Sequence, residues 1–217
     1  MSPLTSSPVL LKGGLVLIDP TTGAVLRVVV LQYNPDSLSR TLQIQGVGAE
    51  GGERSEALRL KGPPVETIKL EAEIDATDQM EVADATARET GIHPQLAALE
   101  TVVYPKSAQL TANNALAASG TLEIVPVETP LALFVWSKSR ILPVRITELS
   151  ITEEAFDPSL NPIRAKVSLG LRVLSVNDLP AGHKGDTLFM SYLLNKEGLA
   201  QRAKPGGLPS FGIGGIP

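Results

Sequence analysis

The sequence predicts a mainly β fold of the α+β class, and three features of its 217 residues support this prediction. Residues 64–75 and 163–173 alternate apolar and polar side chains with a period of two, as strands with one buried face do. Glycine and proline divide much of the remaining apolar sequence into short segments. Helical spacing of apolar residues is confined to residues 78–103 and 186–202, so we expect a β-sheet with a few packing helices.

Three strands are predicted in the N-terminal part. Residues 15–18 end at an Asp-Pro-Thr-Thr-Gly turn and form a hairpin with residues 24–33, whose sequence AVLRVVVLQY is nearly all apolar. Such a run is typical of a strand buried on both faces or packed at a subunit contact. Residues 38–45 form a third strand with one mostly apolar face and one polar, uncharged face. Residues 46–62 are expected to form a long loop.

The middle of the chain is predicted to hold two helices. Asp78 and Glu81 form a capping-box pattern for a helix that Gly91 ends. Pro94 opens a second helix, with an apolar side formed by Leu96, Leu99, Val102 and Val103. Residues 105–130, rich in Ala, Asn, Ser and Pro, are expected to be an irregular connection with one helical turn.

The last third returns to β structure. Residues 131–136 form a short apolar strand, and residues 140–153 alternate but change phase near Glu148, which predicts a β-bulge. A turn at residues 157–162 joins this strand to the strand 163–173, so the two form a long hairpin.

A helix is predicted at Asp186–Arg202, followed by a tail rich in glycine and proline. The helix side chains expected to point inward are Leu188, Tyr192, Leu193 and Leu199.

Composition excludes several classes of function. The absence of cysteine excludes a thiolate zinc site, an iron–sulfur cluster, a disulfide framework and a cysteine nucleophile. An isoelectric point near 5.3 with mixed charges argues against nucleic acid as a partner. No apolar run approaches the ~20 residues that span a bilayer, and no basic leader precedes an unbroken apolar segment. We therefore expect no membrane insertion and no signal peptide, and assembly in the cytoplasm.

No catalytic, cofactor-binding or metal-binding site is predicted. His93 and His183 have no neighbouring ligand or nucleophile, so a surface or capping role is favoured. The densest acidic set lies mostly on a strand, where a solvated face is favoured over a calcium or glycosidase site. This set comprises Glu66, Glu71, Glu73, Asp75 and Asp78. An enzyme is accordingly not expected.

The segment Gly185-Asp186-Thr187-Leu188 matches the opening of the LysM peptidoglycan-binding module. A complete LysM unit does not fit in the residues that follow it, so the segment is an incomplete match. A cell-wall attachment module that binds peptidoglycan stays open as the alternative function.

Short segments across the chain resemble the tube–baseplate adaptor, a LysM-type hub protein here truncated, of phage-tail-like contractile injection systems such as antifeeding-prophage-like particles. The segments that carry the resemblance are residues 32–35 (QYNP), 62–68 (GPPVETI), 73–78 (EIDATD), 91–100 (GIHPQLAALE), 134–136 (FVW), 140–145 (RILPVR), 151–157 (ITEEAFD), 160–165 (LNPIRA) and 171–174 (LRVL).

The resemblance implies a tail-tube split β-barrel at residues 1–176 and a C-terminal helix and Gly/Pro-rich tail at residues 177–217. It also implies a ring of six copies that joins the spike hub to the inner tube and templates tube assembly. The implied partners are further copies of the chain, the inner tube protein, the spike or hub protein and the baseplate wedge proteins. No cofactor is implied, and the particle could act outside its producer after release.

Six charged residues are candidates for subunit contacts or for charges that line the lumen of such a ring: Arg140, Arg145, Arg164, Arg172, Glu71 and Glu73. The alternative for each of them is an ordinary solvated strand face.

Overall fold

The computed structural model describes residues 11–46, 59–82, 84–120, 129–203 and 206–216. In these residues, seven strands form one antiparallel sheet in the order β2-β1-β5-β6-β7-β4-β3. The strands are β1 (Gly14–Ile18), β2 (Val25–Val30), β3 (Leu38–Gln43), β4 (Val65–Asp75), β5 (Leu131–Ser137), β6 (Arg140–Phe156) and β7 (Pro162–Val173). The predicted mainly β fold of the tail-tube type is confirmed.

The two longest alternating segments behave as the sequence predicts. In β4, the even-numbered positions from Glu66 to Ile74 are buried, and the odd-numbered positions are exposed or partly exposed. The predicted bulge is also present, because the pairing of β6 with β7 shifts between Ile146 and Glu148. The extra residue returns Leu149 to the core side of the sheet.

Strand β2 corrects one expectation from the sequence. Burial on both faces is wrong, because only Val29 is buried within this strand. Val25, Val28 and Val30 are 62%, 56% and 56% exposed. The cause is the position of β2 at the end of the sheet, where β1 is its only strand partner among the described residues.

The sheet curls around its core and is split along one line. β3 pairs only with the first half of β4, so among the described residues positions 71–75 have a strand partner on the β7 side alone. The end of β2 reaches this unpaired part of β4. Gln32 donates a hydrogen bond from its side chain to the Asp75 carbonyl at 2.6 Å and accepts one from the Asp75 N–H at 3.0 Å. One amide side chain thus spans the split.

Five helices lie among the described residues: α1 (Thr77–Glu81), α2 (Ala85–Thr90), α3 (His93–Glu100), α4 (Ser107–Ala118) and α5 (Lys184–Arg202). Residues Leu208–Phe211 add one 3₁₀ turn. α2 ends at Gly91 and α3 has Pro94 in its first turn, as predicted.

Three helix predictions are wrong. The predicted cap position is wrong, because α1 already begins at Thr77, one residue before Asp78. At the start of α1, the Asp75 carboxylate accepts a hydrogen bond from the Thr77 N–H at 2.7 Å. Two helices stand where one is predicted, because α1 ends at Glu81 and α2 begins at Ala85. The cap of α2 is the Asp84 carboxylate, which accepts a hydrogen bond from the Ala87 N–H. Residues 107–118 form three helical turns, where one had been expected. This helix buries none of its residues, so apolar spacing could not reveal it.

The main core lies inside the curled sheet and joins all seven strands to the helices. Ile68, Leu142 and Leu171 are fully buried there, and α3 adds Leu96 and Leu99. α5 contributes Phe189 and Tyr192 to the same core, whereas Leu199, predicted to face inward, is 46% exposed. A second, smaller cluster contains Ile18, Leu131 and Leu133, with Leu188 packed against it. Most of the predicted loop at 46–62 lies outside the described residues.

Candidate assembly surfaces

The outward face of β4, β7 and β6 is a polar surface with charges of both signs, which we call the charged face. Registered pairing places Glu73 beside Lys166 and Asp75 beside Arg164, and β6 continues these rows with Thr152 and Glu154. Of the predicted candidates, Glu71, Glu73, Arg145, Arg164 and Arg172 lie on these three strands and Arg140 starts β6. The fold therefore brings most of the set onto one continuous face.

Arg164 is the most connected cation of the charged face. Its Nε donates to Asp75 Oδ2 at 2.8 Å, and its Nε lies 3.5 Å from Glu73 Oε1. The hydrogen bond and charge of Asp75 raise the pKa of Arg164. Partial burial by itself raises the pKa of Asp75, but hydrogen bonds from Thr77 and Arg164 outweigh it and lower that pKa below its ordinary value.

Further ion pairs tie neighbouring strands of the charged face together. Lys166 Nζ lies 3.1 Å from Glu154 Oε1, and the hydrogen bond with Glu154 raises the pKa of Lys166. Lys69 reaches Glu148 at 3.6 Å across Gly170, which has no side chain to separate them. These exposed pairs set the pattern of charge more than they add stability.

The two arginines at the other end of this face differ in their surroundings. Arg145 and Arg172 are directly opposite each other in the β6–β7 ladder. Arg172 donates to Asp178 Oδ1 at 2.6 Å, so its charge is compensated. No carboxylate among the described residues pairs with Arg145. The charge of Arg145 is therefore not compensated by a described carboxylate, which leaves Arg145 available to an outside anion.

Strand β2 forms the second candidate surface, which we call the apolar edge. Its exposed apolar residues are Val25, Leu26, Val28 and Val30. On the side away from β1, no described strand pairs with its backbone. An unpaired edge with exposed β-branched side chains is an aggregation hazard unless another chain covers it.

A buried polar cluster fixes the opposite edge strand, β3, to α5. Glu66 is 4% exposed and accepts a hydrogen bond from Arg40 Nε at 2.7 Å. Arg40 also donates to the Tyr192 hydroxyl at 3.0 Å. Lys196 lies 3.6 Å from Glu66 and 4.4 Å from the centre of the Tyr192 ring. Every polar group of the buried carboxylate therefore has a partner, as burial of a charge requires.

Sequence reasoning missed this cluster, although two signals were present. Glu66 and Arg40 both stand at positions of the apolar face of their strands, which an unpaired charge would not occupy. The pattern did not show that they meet, because pairing across β3 and β4 places Arg40 beside Ile68, one diagonal step from Glu66.

The two histidines lie at the starts of α3 and α5. His93 is exposed at the first position of α3. His183 precedes α5, and its Nδ1 accepts a hydrogen bond from the Gly185 N–H at 3.1 Å. The segment Gly185–Leu188, which matches the opening of LysM, forms the first turn of α5. In the described part of the chain, no group of three His, Cys, Asp or Glu side chains could hold a metal ion.

Comparison with protein families shows the family of this chain. The model of the contractile injection system tube protein family matches residues 19–178, which is most of the sequence. The chain belongs to this family. The match covers the six strands β2 to β7, begins directly after β1, and ends before α5.

Comparisons of this tube-family protein with curated proteins and with solved structures identify no further family. Comparison with the curated proteins found no match. Among solved structures, the tail of an empty GTA particle, computed with helical refinement in C6 symmetry, matches at 12% sequence identity and a TM-score of 0.27. That match covers 74% of this chain and 90% of the other. None of the helices described here is long and apolar enough to cross a membrane.

Proposed function

We propose that this tube-family protein is a structural, non-enzymatic component of a contractile injection system whose copies close into a ring. The observation that carries the proposal is the apolar edge, an end strand of the sheet with exposed valines and no described strand paired with its outer side. The sheet has a second end strand, β3, at its other side. A chain with two different sheet edges joins to further copies edge to edge, and a closed ring leaves neither edge exposed.

The charged face supports the same proposal. A ring of curled sheets has one face toward a water-filled lumen, and a lumen wall needs polar side chains without a binding pocket. The charged face of β4, β7 and β6 meets this need, with Glu71, Glu73 and Arg164 among its residues. Its charges are largely paired within the chain, so it has no concentrated positive field that would retain a polyanion.

Within the particle, the proposed place of the ring is the baseplate, where it would join the spike hub to the inner tube and template its polymerisation. Six copies would transmit the symmetry of the hub to a hexameric tube. The partners are therefore the inner tube protein, the hub and the wedge proteins. Support for this finer role comes from the sequence segments that resemble the adaptor proteins, such as residues 91–100 and 140–145.

The experiment tests the apolar edge directly. We expect the purified chain to form rings in negative-stain images and a hexamer or multiples of six copies in native mass spectrometry. Val28→Lys/Val30→Lys should remain folded by circular dichroism but stay monomeric, because lysines on an edge strand block pairing with another strand. Val82→Lys is the matched control, since Val82 is 79% exposed and lies outside the sheet. Rings from the double variant would contradict edge pairing.

A second step tests the adaptor role. Inner tube protein added to preformed rings should polymerise from them with a shorter lag than inner tube protein alone. An unchanged lag, with rings present, would contradict the role as a template and leave ring formation standing.

A further inference from the structure

The β6–β7 hairpin ends in a turn that presents two apolar side chains to solvent. Phe156 is 50% exposed and Leu160 is 78% exposed. Ala155 and Leu160 have φ angles of 53° and 66°, in the left-handed region that residues with a side chain rarely adopt. Such a backbone persists only where its surroundings hold it in place.

The surroundings of this hairpin tip do hold it. The Asp157 carboxylate accepts hydrogen bonds from the N–H groups of Ser159 at 2.7 Å and Asn161 at 2.8 Å. Asn161 donates from its side chain to the Glu89 carbonyl at 3.0 Å, which ties the turn to α2. The tip is therefore a preformed apolar projection that loses little conformational freedom when it binds.

A cavity of about 410 Å³ lies at the other end of the same hairpin. Its walls are mainly apolar and include Val102, Leu131, Val144 and Leu174, and Arg145 stands among them. A cavity of about 150 Å³ lined by such side chains holds a benzene ring. This cavity therefore has room for both apolar side chains of the hairpin tip.

The charges of the two ends are complementary. Asp157 belongs to the hairpin tip, and Glu153 is exposed four residues before it. Hydrogen bonds from Asn161 lower the pKa of Asp157, so this carboxyl is charged at neutral pH. At the cavity, Arg145 has no carboxylate partner among the described residues, whereas its neighbour Arg172 is paired with Asp178. The acidic, apolar tip therefore offers an anion for Arg145 and apolar side chains for the cavity walls.

The tip and the cavity of one chain cannot meet. Ten residues of β7 separate Pro162, at the tip, from Arg172, which pairs with Arg145, and this amounts to about 33 Å of extended strand. A contact between two different patches at opposite ends of a molecule is head to tail and adds copies along the direction of the hairpin. The sheet edges, in contrast, lie to either side of that direction.

We propose that the hairpin tip of one copy inserts Phe156 and Leu160 into the Arg145 cavity of a second copy, so that rings stack through this joint. The proposal rests on the ring of the proposed function for its setting, but the joint itself needs only two copies. Glu153 of the inserted tip faces Arg145 of the cavity in this arrangement.

The main experiment is negative-stain imaging of the full chain with sedimentation velocity as a second readout. We expect stacked rings from the wild type and single rings from Phe156→Ser/Leu160→Ser, with an association constant for stacking lower by about tenfold or more. Leu194→Ser is the matched control, since Leu194 is 61% exposed on α5. Stacking of the double variant at wild-type strength would overturn the proposal.

A charge exchange tests the pairing. Arg145→Glu should abolish stacking, and Arg145→Glu combined with Glu153→Arg should restore it. Loss of stacking in the single variant without restoration in the double variant would contradict the proposed contact between these two residues.

A third measurement separates the joint from the ring. A cyclised peptide of residues 152–163 should bind monomeric Val28→Lys/Val30→Lys and shift the NMR signals of Val144 and Leu174. Binding with these shifts supports the joint even where no ring forms, and no binding, or shifts elsewhere, overturns it even where rings do form.

Discussion

Gly91 occupies a backbone position that a residue with a side chain cannot take without displacing its neighbours. Its φ of 57° lies in the left-handed region, and a Cβ built on it would lie 2.2 Å from the Pro162 carbonyl oxygen. The next residue, Ile92, donates its N–H to that same oxygen at 2.9 Å. The glycine therefore lets α2 end and α3 begin directly against the start of β7.

Gly91→Ala should lower the free energy of unfolding by about 3 kcal/mol, because it adds backbone strain and a steric clash. The measurement is urea unfolding followed by circular dichroism. Gly198→Ala is the matched control, since Gly198 lies in α5 with open space around its Cα, and it should stabilise by about 0.5–1 kcal/mol. Equal effects of the two substitutions would show that the tight approach at Gly91 is unimportant.

At the scale of strands and helices, the alternation of apolar and polar side chains predicts strands most accurately. β4 and β7 were identified because their alternating side chains record one buried face, and the bulge near Glu148 was visible because the pattern changes phase. β2 was misjudged because valine content reports the preference for a strand but not how many neighbours the strand has. Only the order of strands in the sheet decides that β2 lies at its end.

Helix α4 and the site residues show what local patterns omit. α4 has no buried side, so its signal was the helix propensity of its alanines and not apolar spacing. The charged candidates were recognised as charges on strands, but which of them pair depends on register. Sequence alone does not show that Arg172 has Asp178 as a partner while its neighbour Arg145 has none among the described residues.

The ion pair between Asp75 of β4 and Arg164 of β7 should make the stability of the fold depend on pH. The pKa of Asp75 is lowered in the folded chain, so this carboxylate contributes stability above its unfolded value near pH 4 and loses that contribution as the pH falls through the folded value. Asp75→Asn should therefore be less stable than wild type at pH 7, and the difference should shrink below pH 4.

Thermal unfolding at pH 7, 5, 4 and 3 measures this dependence. Glu197→Gln serves as the control, because Glu197 is exposed on α5 and forms no ion pair with a described residue, and its difference from wild type should stay near zero throughout. A constant difference between Asp75→Asn and wild type at every pH would exclude the carboxylate charge as the cause.

At the scale of the whole molecule, α5 completes a core that the family match alone does not contain. The match ends at residue 178, yet Phe189 and Tyr192 are 6% and 8% exposed in the main core. Tyr192 also accepts the hydrogen bond from Arg40, so removal of α5 would leave a buried charge pair without part of its surroundings. The described residues after α5, at 203 and 206–216, are exposed and bury no side chain.

Two truncations test whether α5 is needed for folding and the tail is not. The chain 1–203 should unfold within about 2 °C of the full chain, because the described residues that it loses are all exposed, whereas the chain 1–178 should lack a cooperative transition. Since 1–178 could simply aggregate, Phe189→Ala in the full chain gives a graded readout and should cost about 3–5 kcal/mol. A cooperative melt of 1–178 close to that of the full chain, with little cost for Phe189→Ala, would instead make residues 1–176 a barrel that folds on its own and α5 an appendage.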